Sequence, residues 1–403
     1  MSSIILHIAV LIFSMSSWLS VNAIFTQLPI LANVAPESWN IASYLVLIIQ
    51  ISCVIPLLYG IVKHRFPQLI KTYENYLILF LLLVTVLGLF LTTLTFKERW
   101  ELFQAKHAVP LLLVLLLVSI PCTTSDVLFL PYMSHFHDPH LLTTFFVGMG
   151  LGALIPSALS FVQGSPTVTS ITDNSTGRIT FNIDARLSFE HFMYIMAACC
   201  VLSILAFFYL IHWVRYNSGD HTPAKFAPVE TVDTEKKPII LGTKMLVLLA
   251  LSFCVGALQN SLLPVLLQYA AQAYGQETYH LANTLFVMTN PVFCLAQLFI
   301  TIQRIHFFLA LFSASMVPTI FIAVLACLSE RLAWAGAEAM LCISAGLGAG
   351  LLSWSKTALA QSLRATEHPR ALFWCGAAIQ TGSCVGALVM FCLANLLHVF
   401  PAS

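Results

Sequence analysis

The chain has little charge. Only 9% of its 403 residues are Asp, Glu, Lys or Arg, where a soluble domain carries roughly 25%. A water-facing surface cannot be built from that supply. The formal net charge of +1 offers no basic footprint for nucleic acid. Catalytic patterns are missing too: there is no HExxH, GxSxG or Walker sequence, and the 13 histidines are scattered. His7 and His280, near the ends of apolar runs, read as interfacial or packing residues, so no metal and no cofactor is expected. The eleven cysteines, from Cys53 to Cys392, all lie inside apolar runs. They read as reduced packing residues, not as a disulfide framework.

What is present is apolar length. Apolar residues make up 59% of the chain and the mean hydropathy is +0.89. A hydrocarbon core of ~30 Å needs about 20 apolar residues per helix. On that ruler runs fall at 4–25, 39–62, 75–96, 107–130, 140–163 and 190–214, then at 239–268, 279–303, 305–328, 332–356 and 371–398. The expectation is an all-α polytopic membrane protein of about eleven transmembrane helices. Residues 1–214 form a six-helix bundle, 215–238 a cytosolic linker, and 239–403 a five-helix bundle. Residues 4–23 end in Val21-Asn22-Ala23, which has the look of a signal cleavage site. No basic residue precedes the run, and it is read as a span.

Placing the N-terminus in the cytosol puts twelve Lys and Arg in inner connectors and six in outer ones, which accounts for all 18 and satisfies the positive-inside bias. Lys356 is counted with the inner set. Asn174-Ser175-Thr176 is a glycosylation sequon in a loop this topology places outside. Eleven spans then leave the C-terminus outside.

Polar residues inside spans carry most of the functional information, because they are costly there. Trp18 and Asn22 share a helix face, with Phe25, Gln27 and Pro29 beyond them. Thr123-Thr124-Ser125-Asp126 interrupts an apolar run before Phe129, Pro131 and Tyr132. Gln259-Asn260 precedes Pro264, and Asn290-Pro291 falls near the middle of its run, where the proline bends the helix. Gln380, Thr381 and Ser383 mark the last run. Each alone reads as interhelical glue. Together, amides at similar depth beside aromatic rings suit a cavity for a neutral, planar, hydrogen-bonding solute. Asp126 and Glu338 are read either as a proton relay or as paired polar groups. The Gly148-x-Gly150-x-Gly152 and Gly346-x-Gly348-x-Gly350 sets, inside apolar runs with no preceding strand or lysine, read as close helix packing. So does Gly382-x-x-x-Gly386.

Several of these segments resemble the eukaryotic riboflavin transporters of the solute-carrier class. Ser16-Ser17-Trp18 through Val21-Asn22 to Leu28-Pro29 is similar to the family's G-S-W…N-G…E-L-P. Thr124 to Ser134 resembles T-S-x-V-T-F-L-P-F-M-S, and Leu142 to Gly148 resembles L-T-T-F-F-V-G. Tyr279-His280-Leu281-Ala282, Asn290-Pro291 and the block Ala371 to Ala378 continue the match in order along the chain. Departures are Ala23 for glycine, Phe25 for tryptophan, and Gln27 and Met149 where the family has glutamates. Loop 164–189 lacks cysteine, so no disulfide is carried over there.

The resemblance implies a plasma-membrane riboflavin uptake carrier of eleven spans. Its implied fold is the two-bundle, alternating-access type of the equilibrative nucleoside and major-facilitator carriers. Expected ring contacts are Trp18, Asn22, Phe129, Tyr132, Phe145, Asn260, Asn290 and Gln380. Thr124, Ser125 and Ser383 are expected at the hydroxylated tail. The rival readings are a carrier of another neutral aromatic solute, such as a nucleoside, and a membrane receptor without transport. An intramembrane enzyme ranks below both for lack of a catalytic set.

Overall fold

The structure is a computed structural model that describes residues 2–102, 105–136, 139–172, 179–217, 243–299, 304–328, 334, 336–364 and 371–400. Asn174, most of the linker and the last three residues lie outside the described residues. The first half contains α1 (Ser2–Thr26), α2 (Leu28–Val34), α3 (Ile41–Ser52), α4 (Val54–Arg65), α5 (Pro67–Thr95), α6 (Val109–Tyr132), α7 (Pro139–Gln163) and α8 (Phe189–Asn217). The second contains α9 (Thr243–Ala257), α10 (Leu263–Gln272), α11 (Gly275–Phe299), α12 (Ile305–Leu328), α13 (Ala337–Arg364) and α14 (Ala371–Phe391). Two short hairpins, β1 (Trp100–Leu102) with β2 (Ala105–His107) and β3 (Thr167–Thr172) with β4 (Ile179–Asp184), occupy loops at the end of the bundle where α1 stops. That end is called the far end below, and the end where α1 starts the near end.

Among the described residues, ten helical stretches are long and apolar enough to cross a membrane. The run expected at 279–303 is absent from these ten. Its helix, α11, has 25 residues, and the side chains beyond Cys294 lie outside the described residues; Gln276, Glu277, Thr278, His280, Asn283 and Thr284 stand in its first turns. α13 also departs from expectation. It continues to Arg364 instead of stopping at 356, so Lys356 belongs to a membrane helix and not to a connector. Leu57, Ile61, Phe80, Leu83, Leu205, Val317 and Ile320 are exposed. Such a band is unfavourable in water and is what a helix turns toward lipid.

Prolines decide where the helices break. Pro29, lacking an N–H, opens the α1–α2 junction at Gln27. Pro56 follows the α3–α4 junction at Cys53, and Pro264 follows a π turn, Leu258–Leu262, that joins α9 to α10. Each proline deprives the carbonyl four residues back of its donor, and three of these carbonyls are met by side chains from other helices. Asn22 Nδ2 donates to the Gly152 carbonyl at 3.2 Å, which Pro156 leaves free. Asn283 Nδ2 donates to the Phe25 carbonyl, which Pro29 leaves free. Thr123 Oγ1 lies 3.5 Å from the Ser52 carbonyl, which Pro56 leaves free. α7, α11 and α12 run through Pro156, Pro291 and Pro318 as continuous helices.

Glycines set how closely the helices approach. A Cβ at Gly148 would lie 2.4 Å from the Leu11 carbonyl oxygen, and one at Gly152 2.6 Å from that of Met15. α7 therefore lies directly on α1. In the second half, a Cβ at Gly382 would lie 2.0 Å from the Phe253 carbonyl oxygen, and one at Gly256 2.2 Å from that of Ile379. The glycine sets are packing surfaces, as their apolar context suggests. Gly148→Val should destabilise the protein by about 2–3 kcal/mol, since the backbones must separate. Gly60→Ala, where nothing lies within 4 Å, should be neutral or slightly stabilising. Thermal midpoints of the detergent-solubilised variants check both.

Candidate substrate site

Polar side chains from both halves meet at mid-depth, between the α3–α4 break and the π turn. On the first half, Trp18 Nε1 donates to Asp126 Oδ1 at 3.5 Å. Asp126, in the last third of α6, is exposed and faces the gap between the halves. On the second half, Asn290 Oδ1 accepts from Gln259 Nε2 at 2.6 Å and from Ser353 Oγ at 2.5 Å. Gln259 Nε2 also reaches Ser353 Oγ. Asn260 Nδ2 donates to Ser383 Oγ at 2.9 Å. The gap is bridged by Cys53 Sγ, 4.0 Å from Gln380 Oε1.

From that bridge outward the two halves are latched. Ala42 N–H donates to Gln268 Oε1 at 2.9 Å, and Asn395 Nδ2 to Ser43 Oγ at 2.7 Å. His280 Nε2 donates to the Ser160 carbonyl at 3.1 Å, and the Ser160 and Thr284 hydroxyls are 3.0 Å apart. Asn33 Nδ2 donates to Gln276 Oε1 at 2.5 Å, and Tyr269 reaches Asn40. The hydrogen bonds named here that cross between the halves lie from mid-depth to the far end. Over the latch sits a cleft of about 510 Å³, lined by Asn33, Ser165, Thr167, Gln276 and Glu277 among others.

The expected site residues fall into three groups. Trp18, Asn260, Asn290 and Gln380 lie at the meeting of the halves, as does Asp126. Phe129, Tyr132 and Phe145 do not. They are only 1–2% exposed and pack around Phe13 and Phe207, with Phe13 centroids 5.0 Å from Phe129 and 6.4 Å from Phe145. Tyr132 stands 5.4 Å from Phe207. These rings form the wall of the first half, one layer behind the gap. The third group is occupied by internal bonds. Ser125 donates to the Cys122 carbonyl at 2.7 Å, and Ser383 to the Gly256 and Ile379 carbonyls at 3.1 and 2.9 Å. Asn22 belongs partly here through Gly152. Thr124 Oγ1 is buried with no partner among the described residues.

Glu338 lies in the first turn of α13, at the far end. Measured along that helix it is about 27 Å from the level of Lys356. Sequence reasoning left Ser353 and Lys356 out of the site. It also passed over Cys53 as packing. The signal for the latch was present in the amides of α11, which are too many for a lipid-facing helix.

Residues 2–402 match the family described as solute carrier family 52, riboflavin transporter. The chain belongs to this family. Riboflavin transporter rft-1 of Caenorhabditis elegans is 32% identical over 424 residues, covering 98% of this chain and 97% of that one. Human solute carrier family 52, riboflavin transporter, member 3 is 28% identical over 477 residues, covering 99% and 97%. Among solved structures, the nucleoside transporter NupG has a TM-score of 0.53 at 15% identity, covering 96% of this chain and 90% of that one. The POT family transporter PepTSo has a TM-score of 0.58 at 12% identity, covering 98% and 89%. At these identities the likeness is one of fold, and the fold is the two-bundle carrier.

Gln27 stands where the family pattern has glutamate. Its Nε2 donates to Gln163 Oε1 at 2.7 Å, and Gln163 Nε2 donates to the Leu187 carbonyl at 3.0 Å. The neutral amide thus completes a buried network without charge.

Asn22 can now be tested for two roles separately. Asn22→Ala should cost ~1–3 kcal/mol of stability by orphaning the Gly152 carbonyl. Adding Pro156→Ala restores a backbone donor to that carbonyl and should recover the stability. Uptake that stays low in the stable double variant assigns Asn22 a solute contact as well. Uptake that returns with stability makes it purely structural.

Proposed function

We propose that the chain is a plasma-membrane riboflavin uptake carrier that works by alternating access. The observation that carries this reading is the convergence of neutral amides from both halves at mid-depth, in a chain of the riboflavin transporter family. Riboflavin is uncharged at neutral pH, and the uracil-like edge of its ring carries C=O beside N–H. A carboxamide, being both donor and acceptor, complements that edge. Asn260, Asn290 and Gln380 supply such groups, and Trp18 supplies a face for stacking. With the far end extracellular, the latch there corresponds to an inward-facing state.

Eleven spans are supported by the position of the chain ends. Phe400 stacks on Tyr269 at 4.4 Å, close to the end of α10 and to Asn40. Ser2 at the near end and Phe400 at the far end favour an odd number of crossings, with α11 as the candidate for the eleventh. Residues 1–214 and 239–403 are then the moving bundles of six and five helices, joined by a cytosolic linker at 215–238.

The test is uptake of labelled riboflavin in a transporter-deficient cell. Accumulation should be saturable and competed by unlabelled riboflavin. Stronger competition by a nucleoside would reassign the solute, and no accumulation would leave a receptor. Asn290→Ala should raise the half-saturation concentration about 10-fold, corresponding to ~1–3 kcal/mol, with Pro291→Ala acting on maximal rate instead. A C-terminal tag should stain on intact cells, and Asn174→Gln should increase gel mobility if the sequon is used. A tag seen only after permeabilisation would contradict the orientation.

A further inference from the structure

Two opposite charges stand on opposite halves at the inner edge of the polar zone. Asp126 lies in the last third of α6, exposed to the gap, with the Trp18 indole as its hydrogen-bond partner. Lys356 is half-buried on α13. It follows Ser353 by three residues, so it shares the helix face of the Asn290–Gln259–Ser353 cluster, one turn nearer the near end. Asp126 and Lys356 do not pair in this state: the ion pairs among the described residues are Lys97–Glu190, His107–Glu37 and His135–Glu74.

That separation is tolerable only while water fills the gap. A carboxylate or ammonium sealed alone in a low-dielectric site is strongly disfavoured, whereas a closed pair offsets much of the cost. An alternating-access carrier must at some point seal this zone from both sides. We propose that Asp126 and Lys356 are a transport-cycle pair, apart in the state open at the near end and joined as the halves close around the solute. The occluded state then carries no net charge. The proposal rests on the carrier reading and adds Lys356 to the residues that work the cycle.

The consequence is non-additivity. Neutralising one partner leaves the other to be buried alone; neutralising both removes the problem. With the full chain in transporter-deficient cells, and rates normalised to surface protein, Asp126→Asn and Lys356→Gln should each lower the maximal uptake rate at least about 10-fold. The double variant should return to within about 3-fold of wild type. If the double variant shows the product of the two single losses, the residues act independently and the pair is overturned. Should a neutral variant fail to reach the surface, the charge-reversed pair Asp126→Lys/Lys356→Asp is compared with its single reversals. It must exceed both, and a rate no better than either overturns the pair. Absence of uptake by the wild type would instead count against the carrier reading.

Discussion

Every backbone carbonyl in the membrane must find a donor without water, and this chain repeatedly removes donors with proline. The compensating side chains tie the architecture together. Asn22 reaches the carbonyl freed by Pro156 and fixes α1 on α7. Thr123 approaches the one freed by Pro56 and holds the α3–α4 break against α6. Asn283 meets the one freed by Pro29, but from the other half. Chemically the three are alike. The third differs in that its partners belong to bodies that must separate, so the same device that builds the first half also fastens the far end.

The two kinds of interface differ in what holds them. Within a half, helix backbones touch through glycine, as at Gly148 with Leu11 and Gly382 with Phe253, and such surfaces do not slide without clashes. Between the halves, glycine touches a side chain at most: a Cβ at Gly150 would lie 3.3 Å from Pro291 Cβ. The rest is amide, hydroxyl and imidazole hydrogen bonding. Interhelical bonds in membranes are worth about 0.6 kcal/mol on average, with model peptides at ~1–2. A handful of them gives a latch of a few kcal/mol, which solute binding and contacts at the opposite end can offset. Rigid halves and a weak polar seam are the mechanical requirements of rocking.

The spans were legible because apolar length is a one-dimensional property. In α11 the polar first turns, from Gln276 to Thr284, mark a helix that lies in the seam. The depth of the polar residues was legible too, which is why Trp18, Asn260, Asn290 and Gln380 do meet. Orientation about the helix axis was not. α6 is apolar on nearly every side, so nothing in its sequence separates Asp126, which faces the gap, from Phe129 and Tyr132, which face the core. The partners of the proline-freed carbonyls were equally hidden, since Asn22 and Gly152 are distant in sequence. Lys356 was misplaced because small residues and serine dilute the end of α13, and the hydropathy run stops before the helix does.

The placement of Lys356 also refines the argument about solute charge. A lone lysine at that level would favour an anionic flavin phosphate, since a phosphate monoester takes up cations readily. Asp126 faces the same space and cancels the field of Lys356 at a distance, while at contact it would repel the phosphate oxygens. A neutral solute meets neither effect. It can lie beside the pair and let it close, whereas a dianion would have to break the pair and then be buried with net charge. On the proposed pairing, a requirement that the sealed zone be neutral disfavours phosphorylated flavins without a steric filter.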